Sequence, residues 1–199
     1  EAFDGLLETV DSNPTEFLIV REAADMRDAK KTGRLGLIMG SEGGKLLEGN
    51  LAALRNFHRL GMRHLQFHWS IRNQLGTAQG TPNEPGLTEF GREVVAEMNS
   101  LGMIVDLSHS SPHSIEDALE TTTKPVINSH SGARTIYNTQ QNLWDDQIRD
   151  MADNGGVVAI HFATRIVLGE YPTSTIDDLI AQIEHVADVG AFLAAVGQL

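Results

Sequence analysis

Two runs of the chain end in the same way. MIVDLSHSS (Met103 to Ser111) and KPVINSHSG (Lys124 to Gly132) each start apolar and deliver Ser-His as the apolar residues stop. Upstream, LGLIMGSEGG closes on Glu42 followed by Gly43 and Gly44. Two neutral imidazoles, His109 and His130, and the Glu42 carboxylate suit Zn²⁺ or a similar divalent ion, with positions left open for water. The small residues beside them let the backbone approach a ligand. An ion held this way lowers the pKa of water toward about 7 and polarises a carbonyl oxygen, which is the chemistry of metal-assisted hydrolysis. One carboxylate can also bridge two ions. Each residue has a plainer reading: a strand-end histidine that only hydrogen-bonds, and a loop carboxylate beside two glycines.

Composition narrows the partners. The chain has 199 residues, 41% hydrophobic and 21% charged, with a net charge of −12. That length and balance point to one soluble globular domain over residues 1–199. An acidic chain lacks the clustered Lys and Arg that nucleic acid or an anionic membrane requires. With no cysteine, a metal must be held by His and carboxylates. No apolar run reaches the roughly 18 residues of a membrane span. No signal peptide is visible at EAFDGLLETV, so a cytoplasmic location is expected.

The elements that position these residues follow from periodicity. Strands are expected at Leu35 to Met39, His64 to Phe67, Met103 to Leu107, Pro125 to Asn128, Val157 to Ile160 and Phe192 to Val196, several of them continuous apolar runs. Helices are expected over Leu47 to Leu60, over TEFGREVVAEMNSLG, over SPHSIEDALE with Ser111 as N-cap and Pro112 at the first position, and over STIDDLIAQIEHVADVG. Two weaker helices fit Phe3 to Val10 and Glu22 to Lys31. Strand then helix, repeated, implies parallel strands with right-handed crossovers. An open doubly wound sheet and a (β/α)₈ barrel both satisfy that pattern. A barrel takes about 250 residues, so this length holds roughly six βα units rather than eight. In either case the carboxyl ends of the strands carry the functional groups, which is where Glu42, His109 and His130 fall.

At these residues the sequence resembles the membrane, or renal, dipeptidase family of zinc peptidases. GLIMGSEGG is similar to the family's strand ending in Glu-Gly-Gly, and LRNFHRLGMRHLQF to its helix, turn and next strand. GLTEFGREVVAEMNSLGMIVDLSHSS is nearly the family signature, and KPVINSHSGAR and DNGGVVAIHF continue in order. The resemblance runs from about residue 3 to residue 190. It implies an α/β fold of the TIM-like (β/α)₈ type and two zinc ions bridged by a glutamate. It also implies hydrolysis of dipeptides by a hydroxide held between the metals. By motif, Glu42 is the bridging carboxylate and takes part in catalysis, and His109 and His130 are ligands of the second zinc.

The departures are specific. The family's first-strand His-x-Asp pair, which holds the first zinc, has no counterpart here. Its substrate-facing histidine falls at Trp69, with His68 one place earlier, so both are candidate substrate contacts. Its Arg-Asn reads Gln141-Asn142, and a glutamine lacks the charged fork of an arginine. Its late Gly-x-Asp is missing from AAVGQL. A truncated member is therefore expected, an incomplete barrel that exposes strand edges and associates, as a homo-oligomer for example. The alternative is a non-catalytic barrel remnant that binds one metal or none and serves as a structural or partner-binding module.

The remaining polar residues have their own expectations. His113, His58 and His185 are expected to be solvated or packed on helices, and His64 to lie in a core or interface. His161 ends an apolar strand and could face the site. Asp106 could orient a ligand from inside the barrel. Ser108 and Ser129 fit hydrogen bonds within a turn or behind the candidate ligands, because they lack the Gly-x-Ser-x-Gly context of a nucleophile. Arg134 could bind a carboxylate in place of the missing arginine.

Overall fold

The computed structural model describes residues 2–80, 85–163, 169 and 173–190. Helix α1 (Ala2–Ser12) leads into β1 (Phe17–Ile19), α2 (Ala23–Thr32), β2 (Leu35–Leu37) and β3 (Met39–Glu42). A short 3-10 helix (Gly44–Leu47) precedes α3 (Leu51–Leu60) and β4 (Met62–Gln66). Then follow α4 (Glu89–Leu101), β5 (Ile104–Asp106), α5 (Pro112–Thr121), β6 (Ile127–Ser131), α6 (Asp145–Asp153), β7 (Val157–Ile160) and α7 (Ile176–Gly190). Every strand pairing is parallel, and β3 to β7 form one sheet in chain order.

β2 and β3 are halves of one extended segment that changes partner at Ile38. The first half pairs with β1 and the second with β4. Counted as one strand, they give a wall of six strand positions, each followed by a helix: an incomplete (β/α)₈-type barrel. Six units matches the length argument, but the membership differs. β1 was not expected from sequence, and Phe192 to Val196 lies outside the described residues. Helix α6 was also missed, because DDQIRDMAD offers only Ile148 and Met151 as buried apolar residues. The expected helix from Leu47 is split, with the 3-10 turn first and the α-helix starting after the Asn50 cap, whose side chain accepts the Ala52 amide.

The core explains why the wall holds its shape. Leu54, Leu65, Val94, Met98, Leu107, Ile148 and Met151 are fully buried between sheet and helices. Each such side chain contributes about 1.5–3 kcal/mol on leaving water. A second cluster of Val10, Ile19 and Met39 seats α1 on the first strands. Apolar side chains stay exposed at the margins, including Leu35, Val157, Phe162, Ile176 and Ile180. Among the described residues no helix is long and apolar enough to cross a membrane.

The approach of α4 to the loop after β4 is unusually close. Thr88 caps the helix by accepting the Gly91 amide at 3.0 Å, while the Thr88 amide donates to the Leu75 carbonyl at 2.8 Å. A Cβ on Gly91 would stand 2.0 Å from that same carbonyl oxygen. Alanine at a helix position normally gains up to about 1 kcal/mol over glycine. Here the collision is with backbone, and overpacking of this kind costs roughly 1–3 kcal/mol. Gly91→Ala is therefore expected to lower the urea midpoint, and an unchanged or raised midpoint would contradict the packing.

Candidate metal centre

Three strand ends of one sheet, those of β3, β5 and β6, deliver the candidate ligands. Glu42 is the last residue of β3, His109 follows β5 by one tight turn, and His130 lies near the end of β6. The chain after Glu42 stays bound to the end of β4: the amides of Gly43 and Gly44 donate to the carbonyls of Gln66 and Phe67, each at 3.0 Å. Gly43 has φ of 97°, a conformation that a side chain would resist. His109 itself has φ of 63° without being glycine. Such backbone costs about 1–3 kcal/mol and persists only where the surroundings enforce it. Here the Ser110 amide donates to the Leu107 carbonyl and the Gln79 amide to the His109 carbonyl.

The ligand atoms converge. Nε2 of His109 and Nε2 of His130 lie 2.8 Å apart, and Glu42 Oε1 lies 3.4 Å from the first and 3.7 Å from the second. One atom from each of the three residues falls within 4.8 Å of the others. The donor set fits a borderline divalent cation, with two nitrogens, one carboxylate oxygen and room for further ligands. Protonation state agrees. Burial pushes the His109 pKa down, helped by His130, although Glu42 and Asp106 pull the other way. A depressed pKa keeps the imidazole neutral, the form that binds a metal. The far nitrogen of His130, Nδ1, lies 2.7 Å from Ser129 Oγ, an outer hydrogen bond that fixes the ring.

His161, at the end of β7, belongs to the same cluster. Its ring stands edge-on to His130 with centroids 5.3 Å apart, and the His109 and His130 rings are 4.8 Å apart. Burial and the neighbouring His130 push its pKa down, against a pull from Glu42. The sequence signal for it was weak, since the same strand-end position also suits a surface histidine.

The other expectations resolve individually. Asp106 is fully buried. Its Oδ1 accepts the amides of Ser108 at 2.9 Å and Ser129 at 3.2 Å, and its Oδ2 lies 2.8 Å from His64 Nε2. Burial alone would raise its pKa, but the hydrogen bonds from His64, Ser129 and Ser108 outweigh it and hold the carboxyl below its ordinary value. Ser108 Oγ accepts the Ser129 amide at 2.8 Å, a bond between the two histidine-bearing loops rather than within a turn. His113 is exposed and pairs with Glu116, and His185 on α7 pairs with Asp145 at the start of α6.

His68 is fully buried, with Nδ1 2.9 Å from Ser110 Oγ. Its neighbour Trp69 is 59% exposed and lies beside Gly43, next to Glu42. Gln141 is buried and donates to the His130 carbonyl at 2.8 Å. A cavity of about 270 Å³ opens beside His109, with Asn128, Arg134, Gln141 and Trp144 on its walls. Arg134 is stacked on Trp144 at 4.3 Å, and its Nε donates to Asn138.

The fold and the site together define a class: a parallel α/β barrel wall with a carboxylate-imidazole cluster, of the kind that can hold a metal ion, at the carboxyl ends of its strands. Comparison with known proteins identifies the family. The profile of the membrane dipeptidases (peptidase family M19) matches residues 1–197, and the chain belongs to that family. An uncharacterized dipeptidase of Schizosaccharomyces pombe is 36% identical over 171 residues, 82% of this chain and 40% of that protein. An amidohydrolase from Pseudomonas aeruginosa superimposes with a TM-score of 0.87 at 31% identity, covering 94% of this chain and 57% of its own. A metallo peptidase from Rhodobacter sphaeroides, solved with a phosphinate mimic of the dipeptide L-Ala-D-Ala, gives 0.86 at 30% identity, with 94% and 56% covered. The chain thus spans about half the length of the relatives it matches.

Proposed function

We propose that this chain supplies the zinc-binding and substrate-facing part of a dipeptidase that hydrolyses the peptide bond of dipeptides. The observation that carries the reading is the convergence of Glu42, His109 and His130 from the ends of β3, β5 and β6 on one point. Zinc bound there would polarise the scissile carbonyl and lower the pKa of the attacking water. Both imidazoles offer Nε2. Glu42 turns Oε1 to them and would also be the residue shared with the second ion that the family resemblance implies. The adjoining cavity receives the substrate, and Arg134 on its wall is the cation for a dipeptide carboxylate. Gln141 braces the His130 backbone rather than gripping the substrate.

The relative bound to a mimic of L-Ala-D-Ala makes that dipeptide the one to assay. The protein is stripped with a chelator, reloaded with zinc, and followed for alanine release. Zinc-dependent hydrolysis that stops on adding chelator is expected. Tight zinc binding with no hydrolysis of this or other alanine dipeptides would leave a structural metal and overturn the catalytic reading.

A further inference from the structure

We propose that His64 is a positioning residue for the metal centre, acting through Asp106 on the backbone of both histidine-bearing loops. The inference rests on reading Glu42, His109 and His130 as a metal site. It starts from the only carboxylate buried behind that site among the described residues. Asp106 Oδ1 accepts the amide of Ser108, just before His109, and the amide of Ser129, just before His130. One oxygen atom therefore sets the separation of two loops from different strands. Ser108 Oγ adds a second tie, accepting the Ser129 amide at 2.8 Å and the His130 amide at 3.3 Å.

That clamp works only while Asp106 keeps its orientation. A carboxylate turns about its terminal torsion, which is soft. The ring of His64, on β4, is the partner of its other oxygen, Oδ2, at 2.8 Å. The sheet register makes the contact possible, since His64 pairs with Ile104 and Gln66 with Asp106 on the adjacent strand. Space for the ring comes from Gly40 on β3, where an added Cβ would stand 2.3 Å from His64 Nδ1. Gly40 is two residues before Glu42. A single run of contacts, Gly40 to His64 to Asp106 to the Ser108 and Ser129 amides, thus crosses four neighbouring strands and ends beside the two histidine ligands. An outer hydrogen-bond partner of this kind typically alters metal affinity 10–100-fold when removed.

Three variants and three measurements test the proposal. His64→Leu removes the hydrogen bond, His64→Gln keeps an N–H within reach of Asp106, and Gly40→Ala displaces the ring without altering a polar group. Zinc affinity is measured by competition with a chromophoric chelator, alongside the Co²⁺ absorption spectrum. Hydrogen exchange is followed at the Ser108 and Ser129 amides of the metal-free protein. His64→Leu and Gly40→Ala are expected to weaken zinc binding about 10–100-fold, to change the Co²⁺ spectrum and to speed exchange at those two amides. His64→Gln is expected to restore most of the affinity. If wild type binds zinc and folded His64→Leu binds it equally well, the positioning role is wrong while the metal site stands. If wild type binds no zinc, the metal reading fails, and unchanged exchange at Ser108 and Ser129 overturns the clamp as well.

Discussion

Replacing His130 with alanine is expected to remove most of the bound zinc. The site offers three protein atoms, and His130 Nε2 sits 2.8 Å from its partner nitrogen and 3.7 Å from the Glu42 oxygen. Four-ligand zinc sites bind with roughly 10–16 kcal/mol, or about 3–4 kcal/mol for each ligand. Losing one is therefore worth on the order of 10²–10³ in affinity. Glu42→Gln is expected to weaken binding in the same direction through loss of charge. His113→Ala, an exposed histidine on α5, serves as the control. Equal zinc content in wild type and His130→Ala, measured by inductively coupled plasma spectrometry after dialysis, would remove the metal assignment.

Acid is expected to unfold this protein in two stages, the first controlled by His68. Burial pushes the His68 pKa down to about 4, against a smaller upward pull from the Gly76 carbonyl. The unfolded chain takes up a proton at about 6.5. Between those values the unfolded state binds more protons than the folded state, so stability falls as pH falls. The slope is about 1.4 kcal/mol per pH unit, giving roughly 3 kcal/mol between pH 6.5 and 4. The depressed pKa values of His109 and His161 act in the same direction. The second stage comes from Asp106 and Asp145, both held below their ordinary value. Their contribution is present above the unfolded carboxyl pKa near 4 and is lost as pH drops through the folded value. Urea midpoints taken with chelator present, from pH 7 to pH 3.5, separate the stages. His68→Asn should flatten the decline above pH 4 and spare the one below it. An unchanged slope in that variant would show that His68 is not the controlling group.

Much of the site was legible because metal chemistry leaves local marks. Glu42, His109 and His130 stand where apolar runs stop, and parallel α/β folds place function at those ends. The family motifs spanning them are long, so the ligand set needed no tertiary information. The helices α4, α5 and α7 were legible too, since a cap, an apolar stripe and a stop glycine are local features. Helix α6 and strand β1 were not. One is too polar and the other too short for periodicity to register.

Sequence alone determined the alternation of strand and helix and the order of Glu42, His109 and His130 along it, because each depends on neighbours within a few residues, while the choice of a barrel over an open sheet came from the family resemblance. Tertiary structure decided which side chains share a space. His64 and Asp106 are distant in the chain and meet only because β4 and β5 pair in one register. Gly40 proved to be the space a ring occupies, and His68 proved to be buried against Ser110. The physical reason is that hydrogen bonds and steric contacts between strands depend on register and twist. Those are set by the packing of the whole barrel wall, not by any segment of it.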